Sequence, residues 1–465
     1  MTRPSLPRSR DDQPVDPQQA GAASSGRRRL SSTTATLLVV ANMVGTGVFT
    51  TTGFLIRDLG SPSAVLLAWV VGGLLALCGA LAYSELAAAI PKNGGEYAIL
   101  SRVFHPAVGF VAGWISLVVG FSAPIAASAL AFGQYFGAIV PGAHPMIAAV
   151  VLVVLLSVVH ALHVTMGSGV QNAFTIAKVA LILVLVVGGL ALGDPARVTA
   201  ASAEPLSAGV LSPAFAIGLI FISFAYSGWN GAAYLAGEVQ RPARTLPLAL
   251  IAGTGLVMLL FLGLNFVFLS SAPLAELSGV VEVGHVAAVN LFGPRAGTLL
   301  SGVIALALVS SVGAMIMAGP RVYEAMGEHS PRLRFLRYRT KGGGPAAAVV
   351  LQAVVALIMV ATATFEVLLT YIGFTLSLMA GLTVLGVMWL RYREPDLHRP
   401  YRVWGYPFTP LAFVALSGWM ILHALLERPI VALAGFVTLG SGAALYALLG
   451  GRTVTRDERL SLRPE

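Results

Sequence analysis

The sequence predicts an all-α integral membrane protein with twelve transmembrane helices, and three observations lead to this prediction. Of the 465 residues, 57% are hydrophobic and 11% are charged, whereas roughly 25% are charged in an average globular protein. Apolar runs long enough to cross a bilayer recur along the chain. Lys and Arg residues concentrate in every second loop. The composition therefore excludes an ordinary soluble fold.

The apolar runs lie between breaks formed by Gly, Pro and charged residues. A spanning helix needs about 20 mostly apolar residues, and a transmembrane barrel would need short alternating strands instead. Numbered 1 to 12 in chain order, the predicted spans are Ser32–Ile56, Ser63–Ile90, Ala107–Phe136, Pro145–Leu162, Val170–Leu192, Pro213–Val239, Leu246–Leu269, Ala296–Met326, Pro345–Ala363, Glu366–Trp389, Pro407–Leu425 and Ile430–Leu449.

The distribution of cations predicts the orientation of these spans. When successive loops are assigned to alternate sides, 24 of the 29 Lys and Arg residues fall on one side and four on the other, which leaves Lys178 inside span 5. Because cations mark the cytoplasmic side, we expect a multi-pass protein of the cell membrane with both termini in the cytoplasm. The basic loops are interpreted as topology determinants and lipid contacts, without a role for nucleic acid.

The chain is expected to form one domain over residues 32–450. Residues 1–31 are rich in Pro, Ser, Gln, Asp and Arg and predict a disordered cytosolic tail, and residues 451–465 predict a second cytosolic tail. The single cysteine, Cys78, can form no internal disulfide bond. No set of His, Cys, Asp and Glu has the spacing of a metal site and no catalytic motif is present, so we expect no enzyme activity, no cofactor and no metal.

Two glycine clusters at bilayer depth predict broken helices. They are Gly45-Thr46-Gly47 in span 1 and Ser227-Gly228-Trp229-Asn230-Gly231 in span 6. Non-helical backbone is tolerated there only where it lines a cavity. Gly45 and Gly228 are 183 positions apart, and the starts of the two spans are 181 apart. This common offset predicts inverted repeats over residues 32–192 and 213–389, with spans 11 and 12 (407–449) outside them.

Broken helices predict the chemistry of a ligand. Free N–H groups and the positive end of a helix dipole can bind a carboxylate, and free carbonyl groups can accept hydrogen bonds from an ammonium group. An amino acid zwitterion carries both groups on one carbon atom. The sequence therefore favours an amino acid as the ligand of this site.

Several motifs resemble the amino acid–polyamine–organocation transporter superfamily, and within it the L-type amino acid transporter-like branch. They are Gly45-Thr46-Gly47-Val48-Phe49, Tyr83-Ser84-Glu85-Leu86, Pro91 with Gly94-Gly95-Glu96-Tyr97, Gln171-Asn172-Ala173-Phe174-Thr175 with Lys178, Phe224-Ala225-Tyr226-Ser227-Gly228-Trp229-Asn230, Glu238 with Pro242, Arg244 and Pro247, and Gly319-Pro320-Arg321-Val322-Tyr323. The resemblance covers nearly all of 32–449. It implies the LeuT-like fold of five-plus-five inverted repeats with two extra helices.

The resemblance also implies roles for residues of spans 1 and 6. The substrate carboxylate would meet backbone N–H groups near Thr46 and Gly47, and the ammonium would meet carbonyl groups near Phe224, Ala225 and Ser227, with Phe224 as a gate. The complete implied substrate site is Met43, Gly45, Thr46, Gly47, Phe224, Ala225, Ser227, Gly228 and Asn230. Gly231 departs from animal members, which often have a bulky residue there, so side-chain preference does not carry over. The loop 137–144 lacks the cysteine that would tether an accessory subunit, and we expect no disulfide-linked partner.

Acidic residues near the spans bear on substrate choice. Glu85, Glu238 and Glu324 fall near the predicted cytosolic ends, where they either pair with interfacial cations or form an inner gate; Tyr323 is grouped with Glu85 and Glu238 as a gate or structural residue. The central parts of spans 1, 3, 6 and 8 contain no carboxylate. Because a second cation would be costly there, neutral L-amino acids are favoured over cationic amino acids or polyamines.

Lys178 lies about 12 Å into span 5 at 1.5 Å per residue. We expect its ammonium group either to be held by carbonyl groups of the broken part of span 1 or to lose its proton easily. By resemblance it occupies the place where sodium-coupled relatives bind a cation, which implies sodium-independent transport by antiport or proton linkage. The alternative is a sensor that binds an amino acid without moving it, although tails of about 31 and 15 residues are too short to fold a signalling domain.

Overall fold

The computed structural model describes residues 30–162, 168–199, 209–329 and 331–450, and nearly every element in these ranges is a helix. Residues 1–29 of the predicted N-terminal tail and the whole predicted C-terminal tail lie outside the described residues. Ten helical segments are long and apolar enough to cross a membrane: Ser32–Thr50, Pro62–Ala89, Pro106–Ile139, Pro145–Leu162, Ala173–Leu192, Pro242–Ser271, Pro294–Glu324, Phe365–Arg393, Phe408–Glu427 and Pro429–Leu448. They correspond to predicted spans 1–5, 7, 8 and 10–12.

The other two predicted spans are helical but shorter. Span 6 consists of an α-helix, Pro213–Ala225, and a 3-10 helix, Gly231–Glu238, separated by a turn. Span 9 is the 17-residue helix Ala346–Thr362. The connection between spans 7 and 8, which lies outside the predicted spans, contains the helices Leu274–Leu277 and Val283–Phe292. Neither is long enough to produce the 20-residue apolar signal of a span.

Two further spans depart from regular α-helix. Span 1 begins at Ser32, where the Ser31 hydroxyl caps the helix by accepting from the Thr34 amide at 3.2 Å, and it ends its first part at Met43. Its second part runs as Gly47–Thr50 and Thr52–Leu59, joined by Thr51 in α-helical geometry. Span 3 contains a π-helical stretch, Ser116–Ser122. π-Helical stretches of this kind are frequent at functional sites.

The broken helices lie at the centre of the bundle. Every residue from Phe215 to Ile222 is buried, so this part of span 6 is surrounded by other helices. In spans 3 and 10, 72% of the most apolar window is buried, whereas in span 12 the value is 17%. Spans 1, 3, 6 and 10 therefore form the interior, and span 12 faces outward.

Ion pairs tie the helix ends together on two opposite sides. At one end, called the Leu30 end, the Leu30 amide donates to the Glu238 carbonyl at 3.0 Å, and Arg102 pairs with Glu394 at 2.8 Å. At the other end, called the Arg57 end, Glu366 accepts from both Arg57 and Arg428. In each of these ion pairs, both partners belong to the same side of the membrane in the predicted topology.

Candidate functional site

A cavity of about 610 Å³ lies between spans 1, 2, 3, 6, 8 and 10. Its deep part is lined by Gly72 of span 2 and by Tyr226 and Ser227 in the break of span 6. Toward the Leu30 end it is lined by Asn93 and Arg321, which are exposed. The cavity therefore connects the break of span 6 with the surface at the Leu30 end.

The break of span 6 packs against span 1 through a glycine that no other residue could replace without strain. Gly228 has φ +93°, and a β-carbon added there would lie 2.8 Å from the backbone carbon and oxygen of Asn42. Gly231 approaches the same residue, with its added β-carbon 2.3 Å from Asn42 Nδ2. Positive φ is accessible to glycine at little energetic cost. The sequence Ser227–Gly231 thus turns the chain while it holds span 6 close to the end of the first part of span 1.

A second close approach joins the two breaks directly. A β-carbon added to Gly47 would lie 2.3 Å from the Ala225 Cα and 2.6 Å from its Cβ. The second part of span 1 thus begins where the first part of span 6 ends. The two interruptions predicted from the glycine clusters therefore form one contact in space.

The predicted substrate residues divide into two groups around this contact. Ser227, Gly228 and Asn230 line the cavity. The others do not line it, and all of them except the half-buried Gly45 are buried: Met43, Gly45, Thr46, Gly47, Phe224 and Ala225. The Thr46 hydroxyl hydrogen-bonds the Ser128 hydroxyl of span 3, and Phe224 is buried. In this conformation the cavity reaches the span 6 half of the predicted site, and the span 1 half is packed.

The backbone at the breaks can bind both ends of a zwitterion. The first N–H groups of the second part of span 1, at Gly47 and Val48, stand at a helix start, where they lack intrahelical acceptors. The Phe224 carbonyl accepts from the Ser227 amide at 2.9 Å and, like any carbonyl, has a second lone pair. The resemblance implies N–H groups near Thr46 and Gly47 for the carboxylate and carbonyl groups near Phe224, Ala225 and Ser227 for the ammonium group, and these roles stay predictions.

A buried carboxyl group that received no role in the sequence analysis reaches the cavity wall. The Glu96 Oε1 atom accepts from the Tyr83 hydroxyl at 2.5 Å and from Asn230 Nδ2 at 3.1 Å. Glu96 is 5% exposed and lines the cavity. Burial raises the pKa of its carboxyl above the ordinary value, and the two hydrogen bonds act in the opposite direction. The only sequence signal was its place in the motif that carries the resemblance.

Lys178 is 4% exposed, and its partner differs from the expected one. Its Nζ donates to the Ser311 hydroxyl of span 8 at 2.7 Å, and that hydroxyl donates to the Ala307 carbonyl at 3.1 Å. The expectation of carbonyl ligands from the broken part of span 1 is therefore corrected. Span 5 packs against both the first part of span 1 and span 8, and the Lys178 side chain is directed to span 8, which sequence spacing does not reveal.

The three residues predicted for an inner gate occupy different surroundings. Glu85 pairs with Arg391 at 2.5 Å and Arg399 at 3.4 Å and accepts from the Val403 amide at 2.8 Å, away from the cavity. Glu238 lines the cavity and accepts from Asn93 Nδ2 at 3.5 Å. Of Glu85 and Glu238, only Glu238 therefore lies on the cavity that leads to the surface at the Leu30 end.

Tyr323 is fully buried behind the cavity, with its ring edge-on to Phe121 at 6.4 Å. Within the described ranges its hydroxyl has no hydrogen-bond partner. Glu324 lines the cavity, as Arg321 does, and is paired with Arg339 at 2.7 Å. Tyr323 therefore contributes packing here, and Glu324 an interfacial ion pair. No group of three or more metal-binding side chains occurs in the ranges that the structure covers.

Comparisons with known proteins agree on one family. Residues 30–449 match the model of a family described as amino acid permease. The chain is 31% identical to the b(0,+)-type amino acid transporter 1 of Rattus norvegicus over 411 residues, which cover 84% of this chain and 81% of the relative. It is 27% identical to the large neutral amino acids transporter small subunit 2 of Mus musculus over 427 residues, which cover 88% of this chain and 79% of that protein.

Proposed function

Because the chain belongs to the amino acid permease family, we propose that it is a secondary active transporter that moves amino acids across the cell membrane by alternating access. The observation that carries this proposal is the contact between Gly47 and Ala225, beside a cavity whose lining includes exposed residues at the Leu30 end. Two interrupted helices that meet at mid-bundle form a substrate site around which a transporter can rearrange. The protein is not an enzyme.

The proposed substrate is a neutral L-amino acid. Its carboxylate would be bound by N–H groups at Thr46 and Gly47 and its ammonium group by carbonyl groups near Phe224, Ala225 and Ser227. The name of one relative, a large neutral amino acids transporter, supports this choice. A cationic amino acid is the alternative substrate. Neutral amino acids were favoured because the central parts of spans 1, 3, 6 and 8 contain no carboxylate, but the carboxyl group of Glu96 lines the cavity.

The proposed architecture is twelve spans with both termini in the cytoplasm, built from inverted repeats over residues 32–192 and 213–389 and two additional helices. Ten helices of spanning length and two shorter apolar helices at the positions of spans 6 and 9 support it. In this orientation the Leu30 end faces the cytoplasm, and the cavity is the inward-facing vestibule of the transporter. The uneven distribution of cations between the two ends supports the assignment.

Transport is proposed to be sodium-independent, by antiport or proton linkage. The Lys178 side chain lies between spans 5 and 8, where its Nζ donates to Ser311, and its protonated form would supply a positive charge there. A positive charge already present in the protein removes the need for a bound cation at that position. We also propose that no accessory subunit is attached by a disulfide bond, since the only cysteine, Cys78, lies within span 2.

Counterflow in proteoliposomes tests the proposed function. Vesicles loaded with one unlabelled amino acid would be given a radiolabelled panel that includes neutral, cationic and anionic members, with and without a pH gradient. A transporter accumulates label of its substrate class, with neutral members expected first. Saturable binding of an amino acid to the purified protein without any counterflow would instead indicate the non-transporting sensor, and neither binding nor counterflow would reject both functions.

A further inference from the structure

Glu96 is placed where the inner part of span 6 meets span 2. It begins the short helix Glu96–Val103 directly after the connection from span 2. Its Oε1 atom accepts both the Tyr83 hydroxyl of span 2 and the Asn230 amide of the span 6 turn. One carboxyl oxygen therefore links an intact helix to the segment that is interrupted at the substrate site.

The surroundings of Glu96 hold it tightly in place. A β-carbon added to the preceding Gly95, which has φ +53°, would lie 2.6 Å from the Tyr234 ring. The Gly94 amide donates to the Tyr234 carbonyl at 3.0 Å. The Tyr83 ring packs edge-on to Trp229 with centroids 4.7 Å apart. The loop before Glu96 is thus attached to span 6 at Tyr234, after Asn230, and span 2 contacts span 6 at Trp229, before it. Movement of this part of span 6 must displace the carboxyl group or its partners.

The carboxyl group has no cationic partner in the part of the chain that the structure describes. Neither the hydrogen bonds nor the ion pairs join Glu96 to a Lys or Arg. The titratable and charged groups around it are Tyr83 on span 2, Tyr234 and Glu238 on span 6, Lys92 and Arg102 on its own loop and helix, Arg321 and Glu324 on span 8, and Glu394 after span 10. Arg102 is engaged with Glu394 at 2.8 Å, and Glu324 with Arg339 at 2.7 Å.

A buried carboxylate without a cation is stabilised only by hydrogen bonds, and its neutral form is favoured by burial. Glu96 also lines a cavity that reaches exposed residues, so water in the cavity can deliver and remove its proton. Glu96 thus combines the lack of a cationic partner among the described residues with a place on the cavity wall beside the interrupted helix.

We propose that Glu96 is a proton-binding group of the transport cycle, which holds the inner part of span 6 against span 2 when ionised and releases it when protonated. The proton comes from water in the cavity and is bound by a carboxylate oxygen; nothing is oxidised or reduced. Protonation weakens the carboxyl as an acceptor for Tyr83 and Asn230, since hydrogen bonds to a charged acceptor are roughly twice as strong as neutral ones. The inner part of span 6 can then move. This inference rests on the proposed function and assigns proton linkage to it.

The decisive experiment compares wild type with Glu96→Gln. Glutamine keeps an acceptor oxygen for both donors but cannot titrate. Uptake by wild-type proteoliposomes should rise as the pH falls and should decline by about tenfold per pH unit well above the pKa of Glu96. Glu96→Gln should keep uptake while losing this dependence on pH and the acceleration by an inward proton gradient. Glu276→Gln, which removes an exposed carboxyl group, is the matched control and should behave as wild type.

Two further measurements separate this inference from the proposed function. Infrared titration of the purified protein should detect a protonated-carboxyl band that is absent from Glu96→Gln, whether or not the vesicles transport. If Glu96→Gln does not fold, Tyr83→Phe replaces it: loss of one donor should move the pH midpoint of uptake upward. A wild-type pH profile in Glu96→Gln, or an unmoved midpoint in Tyr83→Phe, overturns the role of Glu96. Absence of uptake by wild type, with the infrared band present, overturns the transport function instead.

Discussion

Gly47 of span 1 lies against Ala225 of span 6 so closely that a β-carbon on Gly47 would be 2.3 Å from the Ala225 Cα. The two residues are far apart in the chain, and each lies at an interruption of its helix. The contact leaves no room for any side chain at position 47. It therefore makes glycine a requirement of helix packing, in addition to the role proposed for its N–H group in substrate binding.

The first prediction concerns this contact. Gly47→Ala should abolish counterflow and lower stability, since overpacking typically costs about 1–3 kcal/mol. Counterflow and thermal unfolding in detergent measure the two effects. Gly255→Ala is the matched control, because no atom lies within 4 Å of its added β-carbon; it should transport normally. Normal transport by Gly47→Ala would contradict the close contact.

The second prediction uses the ligand to separate packing from binding. An amino acid methyl ester lacks the carboxylate, and the decarboxylated amine lacks the carboxyl group altogether. Neither should compete with the labelled substrate, because two or three charge-assisted hydrogen bonds, each worth about 1.5–3 kcal/mol, are lost. Competition assays in proteoliposomes measure this directly. Efficient competition by both analogues would reject a site built on backbone N–H groups.

The third prediction concerns the coupling ion. Replacement of sodium by choline on both sides of the membrane should leave the initial rate of uptake unchanged, because the Lys178 side chain, which donates to Ser311 between spans 5 and 8, is proposed to take the place of a bound cation. The measurement is uptake at a fixed pH and constant ionic strength. A rate that falls with the sodium concentration would show that a cation binds elsewhere.

The fourth prediction concerns Lys178 and its partner. Lys178→Ala should reduce uptake by about tenfold or more, since a buried hydrogen bond to a charged group contributes about 1.5–3 kcal/mol. Ser311→Ala should cause a smaller reduction, because the ammonium group is retained without its acceptor. Ser301→Ala, another buried serine of span 8, provides the control. If both Lys178→Ala and Ser311→Ala transport at the wild-type rate, Lys178 and Ser311 have a structural role and no role in transport.

The fifth prediction concerns Glu85, which the sequence offered as a gate or an ion pair. Its carboxyl group accepts from Arg391, lies 3.4 Å from Arg399 Nε and accepts from the Val403 amide. Glu85→Gln should destabilise the protein by about 3–5 kcal/mol, as the loss of one buried partner does, and lower the temperature of unfolding. Asp194→Asn breaks an exposed pair and should change stability by less than about 1 kcal/mol. Altered transport at unchanged thermal stability would instead identify Glu85 as a gate.

Sequence alone determined the membrane class, the family resemblance and the positions of the interruptions in spans 1 and 6. These are local properties: an apolar run, a pair of glycines or a cluster of Arg is written in neighbouring residues, and the bilayer imposes the length. The disorder of the two tails, the orientation in the membrane, the inverted repeats and the sodium independence of transport stay predictions. The span boundaries were close, with Pro62–Ala89 observed for Ser63–Ile90.

Only the tertiary structure decided which side chains meet. It brought Glu96 from a connection into the cavity wall beside Asn230, gave Lys178 a partner on span 8, and placed Glu85 in an ion pair at the helix ends. It also divided the predicted substrate residues between the cavity wall and the packed contact behind it. These partners lie 134, 133 and 306 positions apart in the chain. Hydropathy marks that a helix is buried, but the rotation and depth at which helices pack against each other select its partners.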